Sequence, residues 1–597
     1  MCVDLKARLT IFFKTTIFFV FSLYIFSCNQ KKSLPAVLPL EEEQTAKAKT
    51  IDFPEHLDFW SDYPNEELAD ELIRRMSDSE LLSQIFMFGW AGAEPSPLLR
   101  EWVSERGLGS IKIFGWNTDD IHQVARSVKE LQQRSQHRDL RIPLFVATDQ
   151  EGGWIRHVKG EMSDTPGNLA VGASALPADA WKTGYYIAKE LRVLGINMNF
   201  APAVDLYSNL KSTVIGPRSF GENPDFAGIL GASYAAGSEA AGVIPTAKHY
   251  PGHGDTGLDS HGKLPVIDVD YNTFMAREMV PFKYLIRENI PAIMSGHLSF
   301  PNVVPDGTPA SLSKAFLTDI LRSQMGFEGL IITDDMMMNG ATMYAGSLSA
   351  AYRMAIEAGN DILLSSTTAQ LSEPLWTANL ERMQSNEKFR SQVKEAARRV
   401  IFYKLKYFKS KNAVPLYPDA DTIDENIPDR EGQIFFQDQA IRATTLYKKG
   451  SLFPLTREAA KEKRVLLVGP LSNFIAAGKA CYGEDTPIFK FDDAPGPIHI
   501  DWMSRRLPGM ASGYDVVIAL VDDKGSAQII STLKNLGKHV VIFSTMAPTF
   551  VSEMTQWADT VIIGYSWSDF SIKAMFSALA GDFEPEGVLP LSSLSSK

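Results

Sequence analysis

Between about residue 60 and residue 410, short apolar runs alternate with stretches whose apolar residues recur every three or four positions. The runs are QIFMF (84–88), SIKIF (110–114), PLFVAT (143–148), NMNFAP (197–202), VIPTA (243–247), PAIMS (291–295), LIIT (330–333) and DILLS (361–365). Segments between them, such as DIHQVARSVKELQQ, WKTGYYIAKELRVLG and FLTDILRSQMG, carry helical spacing. A strand that is apolar throughout, rather than at every second residue, is covered on both faces, and a parallel sheet with crossover helices provides that covering. Eight such runs predict an α/β fold, a (β/α)8 barrel of TIM type over residues 56–410.

The residues that follow these runs are polar and ionisable. Asp149 ends FVATD, Asp205 follows NFAPAV, Lys248 and His249 follow VIPTA, His297 follows IMSG and Asp334 follows LIIT. A charge after one strand is ordinary solvated loop. Several of them at the carboxyl ends of strands of one barrel converge on the mouth, where such barrels carry their active sites.

Beyond the barrel, KNAVPLYPDADTIDENIPD reads as a linker over 411–430. RVLLVG, DVVIALV, HVVIFS and TVIIGY then repeat the buried-strand pattern, which predicts a smaller, doubly wound α/β sandwich over 431–597. At the other end Lys6, Arg8 and Lys14 precede the apolar run TTIFFVFSLYIFS, too short for a comfortable membrane span of ~20 residues but right for an export signal over 1–27. IFSC resembles a lipobox, so Cys28 is expected to carry a lipid and residues 28–55 to form a tether, placing the protein in the cell envelope. An uncleaved anchor is the alternative. With Cys2 in the signal and Cys28 acylated, Cys481 has no partner for a bridge. A net charge of -12 with no basic cluster excludes a generic nucleic-acid surface.

One loop concentrates the chemistry. KHYPGHGDTGLDSH (248–261) holds three of the ten histidines of the chain. Three readings stand side by side. A metal cage would use His249, His253, His261 and an aspartate, but Lys248 repels a cation and the glycine-rich spacing offers no rigid ligand pair. A dyad would pair Asp259 with His261, since residues two apart in extended chain project to one side and a carboxylate can fix the tautomer of the ring. A structural Asp-Ser-His turn would look the same in isolation. Asp334 and Asp335, in GLIITDDMMM, project to opposite sides, so one of them faces the mouth.

Taken in order, DQEGGWIRH (149–157), LGINMNFAPAVDL (194–206), GPRSFG (216–221), KHYPGHGDTGLDSH and GLIITDDMMM (329–338) resemble the signature segments of glycoside hydrolase family 3, in its β-N-acetylglucosaminidase branch. The resemblance implies that Asp334 is the nucleophile of a retaining exo-glycosidase and that His261, oriented by Asp259, is the acid/base. It implies that Asp149, Arg218, Lys248 and His249 hold the terminal N-acetylglucosamine, with Asp149 on the hydroxyls at carbons four and six. His253, Asp255 and Asp205 are expected to shape the site, and Asp335 to bond neighbouring backbone. No cofactor and no metal are expected. Peptidoglycan-derived or chitin-type oligosaccharides at the envelope are the substrates this reading favours. β-Glucosidase, β-xylosidase and phosphorylase activities are its near alternatives, and a non-catalytic glycan-binding lipoprotein is the alternative of another class.

Overall fold

The computed structural model describes residues 51–594, apart from 213, 258–263 and 547. The expected export signal, the lipid-bearing Cys28 and most of the tether lie outside the described residues, as do Asp259 and His261. Residues from Glu55 onward form one compact unit.

Each of the eight apolar runs contributes to a strand, and only β5 outruns its own: β1 (Phe86–Phe88), β2 (Ser110–Lys112), β3 (Phe145–Thr148), β4 (Met198–Asn199), β5 (Ile244–Tyr250), β6 (Ala292–Ser295), β7 (Leu330–Thr333) and β8 (Leu363–Ser365). They lie parallel in the order β8-β1-β2-β3-β4-β5-β6-β7, and the bridge between Ile332 and Ile362 closes the ring from β7 to β8. Every residue of these strands is buried, as continuous apolar runs require. The fold is therefore a TIM barrel with helices outside it.

The second sheet comprises β9 (Thr445–Lys448), β10 (Val465–Gly469), β11 (Ile488–Lys490), β12 (Val516–Val521), β13 (Val540–Ser544) and β14 (Thr560–Ile563). Its order is β9-β14-β13-β12-β10-β11, parallel except for β9. Alternate residues serve two cores. Leu466, Val468, Val517 and Ile542 meet Leu507 and Ile529 on one face. On the other, Leu467, Ile518, Val541 and Phe543 meet Phe474 and Phe576.

Two features depart from a picture of separate bodies joined by a linker. Along 411–429 the chain is pinned to the barrel, with Arg192 Nη2 donating to the Ala413 carbonyl at 3.2 Å and Val414 buried. The helix Arg430–Ala443 then packs on the barrel helix Pro177–Val193, where Arg442 reaches both oxygens of Asp179 at 2.8 and 3.0 Å.

Candidate active site

The carboxyl ends of the barrel strands surround a cavity of about 360 Å³. Asp149, Arg218, Lys248, His249 and Asp334 all line it, although they come from segments up to 185 positions apart (Asp149 to Asp334). Lys248 and His249 belong to β5 itself, which runs on to Tyr250, rather than to the loop after it. The register against β6 shifts between Ala247 and Tyr250, and at that irregularity both consecutive side chains reach the cavity.

The cations are held by an acidic pair, of which Glu151 is buried and Asp149 partly so. Asp149 accepts from Lys248 at 2.5 Å and also from Lys112. Glu151 accepts from Arg218 through two bonds of 3.0 and 2.8 Å, and from Lys248 at 2.7 Å. Burial works to raise both carboxyls, but Lys112 and Lys248 hold Asp149 well below the usual range, and Arg218 and Lys248 depress Glu151. The result is a lattice of alternating charges whose members fix one another's orientation before a ligand arrives.

His249 is set by Asp205. The carboxylate accepts from His249 Nδ1 at 2.7 Å, from the His249 backbone N–H at 3.1 Å and from the His253 N–H at 2.6 Å. That pairing assigns the ring proton to Nδ1 and leaves Nε2 to accept from Arg218 at 3.3 Å. Despite burial, His249 and these donors keep the Asp205 carboxyl down at about 2. His253, which also faces the cavity, has no hydrogen-bond partner on either ring nitrogen among the described residues. Burial, with His249 nearby, pushes it down to about 4.

Asp334 stands one residue past β7. Its N–H donates to the Ser295 carbonyl at 2.9 Å, and its Oδ1 accepts from the Asp335 N–H at 2.8 Å. Burial would raise this carboxyl, yet His249, His297, the Asp335 N–H and Lys248 together hold it below its ordinary value. It is thus an ionised carboxylate at neutral pH. Asp335 turns to backbone, accepting from Met337 and Ser366 at 3.0 Å each. Asp255 instead pairs with Arg277 at 2.6 Å, and His297 bonds Ser311 and the Asp335 carbonyl.

Several lining residues are not singled out by the sequence, His157 among them, whose Nδ1 lies 3.6 Å from Asp149 Oδ2. Lys112 sits inside an apolar run, and Glu151 lies two places after Asp149, so each left a local trace in the form of a charge in a buried setting. Trp116 left none. Among the described residues no group of three His, Cys, Asp or Glu is placed to hold a metal ion.

The model of the glycosyl hydrolase family 3 N terminal domain matches residues 79–402. Beta-hexosaminidase from Methylococcus capsulatus is 34% identical over 295 residues, covering 49% of this chain and 85% of that protein. Beta-hexosaminidase A from Pseudoalteromonas piscicida is 36% identical over 283 residues, 45% of this chain, and the match spans about half of that relative's length, 47%. Among solved structures, a family 3 β-N-acetylglucosaminidase from Paenibacillus sp. str. FPU-7 superimposes with a TM-score of 0.77 at 26% identity, covering 86% of this chain and 99% of that one. That likeness extends past the barrel into the second sheet.

Proposed function

The chain belongs to glycosyl hydrolase family 3, and we propose that it is an exo-acting, retaining β-N-acetylglucosaminidase releasing terminal N-acetylglucosamine from peptidoglycan-derived or chitin-type oligosaccharides. What supports the reading is the company of Asp334. An ionised carboxylate at the end of a barrel strand shares one cavity with Asp149, Arg218, Lys248 and His249, a set of fixed donors and acceptors suited to sugar hydroxyls. The names of the Methylococcus and Pseudoalteromonas relatives point to a hexosamine as the sugar.

In this reading Asp334 attacks the anomeric carbon while His261, oriented by Asp259, gives its proton to the departing glycosidic oxygen. The bond from carbon to leaving oxygen breaks as the bond to aspartate forms. His261 then takes a proton from water, the water oxygen bonds to the anomeric carbon and the carboxylate departs. Two inversions give net retention. The roles of Asp259 and His261 rest on the sequence and its resemblance.

The test is turnover of aryl β-glycosides of N-acetylglucosamine, glucose and xylose, with and without phosphate. The N-acetylglucosamine compound is expected to be cleaved selectively and without dependence on phosphate. Asp334→Asn, of nearly the same shape, is expected to lower kcat by at least about a thousandfold while keeping the melting temperature. A fully active variant would remove Asp334 from the mechanism.

A further inference from the structure

Trp116 is exposed (52%) and yet lines the cavity. It is also fixed. It lies on the single turn Gly115–Asn117 just beyond β2, and its Nε1 donates to the Trp90 carbonyl at 2.8 Å. Asn117 locks the same turn, accepting from the Phe114 N–H at 2.8 Å and donating to the carbonyls of Trp90 and Gly92 at 3.0 and 2.6 Å. One face of the indole lies flat on the Phe114 ring, with centroids 4.5 Å apart and planes 4° from parallel. Phe114 is in turn backed by the Lys112 ammonium, 4.0 Å from its centroid. A ring plane held from behind, half exposed and lining the cavity, is already in place for a ligand and loses no freedom on binding one.

Depth decides which part of a substrate that is. Lys248, Arg218 and Asp149 are only 2%, 11% and 17% exposed at their side chains. The terminal sugar of an exo-acting enzyme occupies that deep end, and what is attached to it must leave past the exposed rim. We propose that Trp116 is the platform of the leaving-group subsite, its open face taking the apolar C–H face of the pyranose that the reaction expels. The negative face of the ring attracts those C–H groups, and the flat contact removes apolar surface of both partners from water. Trp116 is a specificity residue here, one that favours a saccharide leaving group over a small alcohol, and the inference rests on the glycosidase reading above.

The experiment compares two substrates that share the terminal sugar: di-N-acetylchitobiose, whose leaving group is a pyranose, and the methyl β-glycoside of N-acetylglucosamine, whose leaving group cannot stack. For Trp116→Ala, kcat/KM is expected to fall about tenfold on the disaccharide and to stay within about twofold on the methyl glycoside. Trp116→Phe, which keeps a ring on the Phe114 support, is expected to recover most of the loss. Equal losses on both substrates, or no loss on either, would overturn the assignment, because a merely structural tryptophan cannot tell one leaving group from the other. A wild-type protein that leaves both substrates intact would count against the N-acetylglucosaminidase reading itself, a failure distinct from an unchanged ratio in an active enzyme.

Discussion

His253 shows how much of the site depends on a single protonation state. Its imidazole is 2% exposed, lies beside His249, and neither nitrogen has a hydrogen-bond partner among the described residues. Placing a charge there is unfavourable, which is why the ring is held at about 4 rather than at the ordinary 6.5. As pH falls the unfolded chain takes up this proton before the folded one does. The stability contributed by neutral His253 is therefore complete above pH 6.5 and lost progressively down to about 4. At pH 4.5 the loss from this residue is about 2–3 kcal/mol. Asp205, held at about 2, runs in the same direction but in a lower window, from its ordinary 3.8 downward. Urea midpoints at pH 7 and pH 4.5 separate the two. His253→Phe keeps the ring volume without the titration, and its midpoint is expected to change less between those pH values than that of the wild type. Parallel changes would show that His253 is not the group responsible.

At the scale of elements, legibility in the sequence followed burial and failed at charge. The barrel strands could be read because parallel strands covered on both faces must be apolar along their length. The apolar run that becomes β5 ends at Ala247 in the sequence, because Lys248 resembles the start of a solvated loop. In the fold its ammonium is neutralised by Asp149 and Glu151, so the strand continues through it. Lys112 in β2 is compensated in the same way by Asp149, at the end of the neighbouring strand. No local pattern announces a partner supplied by another strand. The glycine-rich spacing of the loop is plain in the sequence, whereas the constraint at Gly254 is spatial. A Cβ there would stand 1.8 Å from the Leu206 carbonyl oxygen, a backbone atom that cannot swing aside. Gly254→Ala must displace the turn that carries His253 and that follows directly from β5. The expected cost is about 1–3 kcal/mol of stability, with a larger functional effect, a fall in kcat/KM of roughly a hundredfold, since positioning errors near 1 Å weigh heavily on catalysis. A variant with wild-type kcat/KM would show that the Leu206 contact does not position the site.

Over the whole molecule the barrel and the second sheet share buried surface, which neither pattern of strands foretells. An amphipathic helix such as Arg430–Ala443 displays an apolar stripe in the sequence but not the identity of its cover, and here the cover includes barrel residues such as Tyr186, stacked on Phe435 with centroids 5.6 Å apart. A common core contains Leu169, Ala170 and Tyr207 from the barrel with Ile563, Tyr565 and Leu591 from beyond it. Backbone pairing crosses the same boundary, the Val588 N–H donating to the Ala173 carbonyl at 2.9 Å and the Glu222 N–H to the Pro590 carbonyl at 3.2 Å. Ordinary interfaces between domains are polar and allow independent motion and melting. An apolar core spliced by main-chain bonds instead couples the two halves, so the wild type is expected to unfold in one endotherm with coincident fluorescence and circular-dichroism transitions. Leu591 offers the sharper probe, because it is fully buried in that core and far in sequence from the barrel. Leu591→Ala opens a cavity at a cost of about 2–5 kcal/mol. If the halves are coupled, the whole endotherm moves down and remains single, and activity at the barrel mouth is lost at the same temperature. An endotherm that splits, with the larger component and the activity unshifted, would mean that the barrel stands without its neighbour.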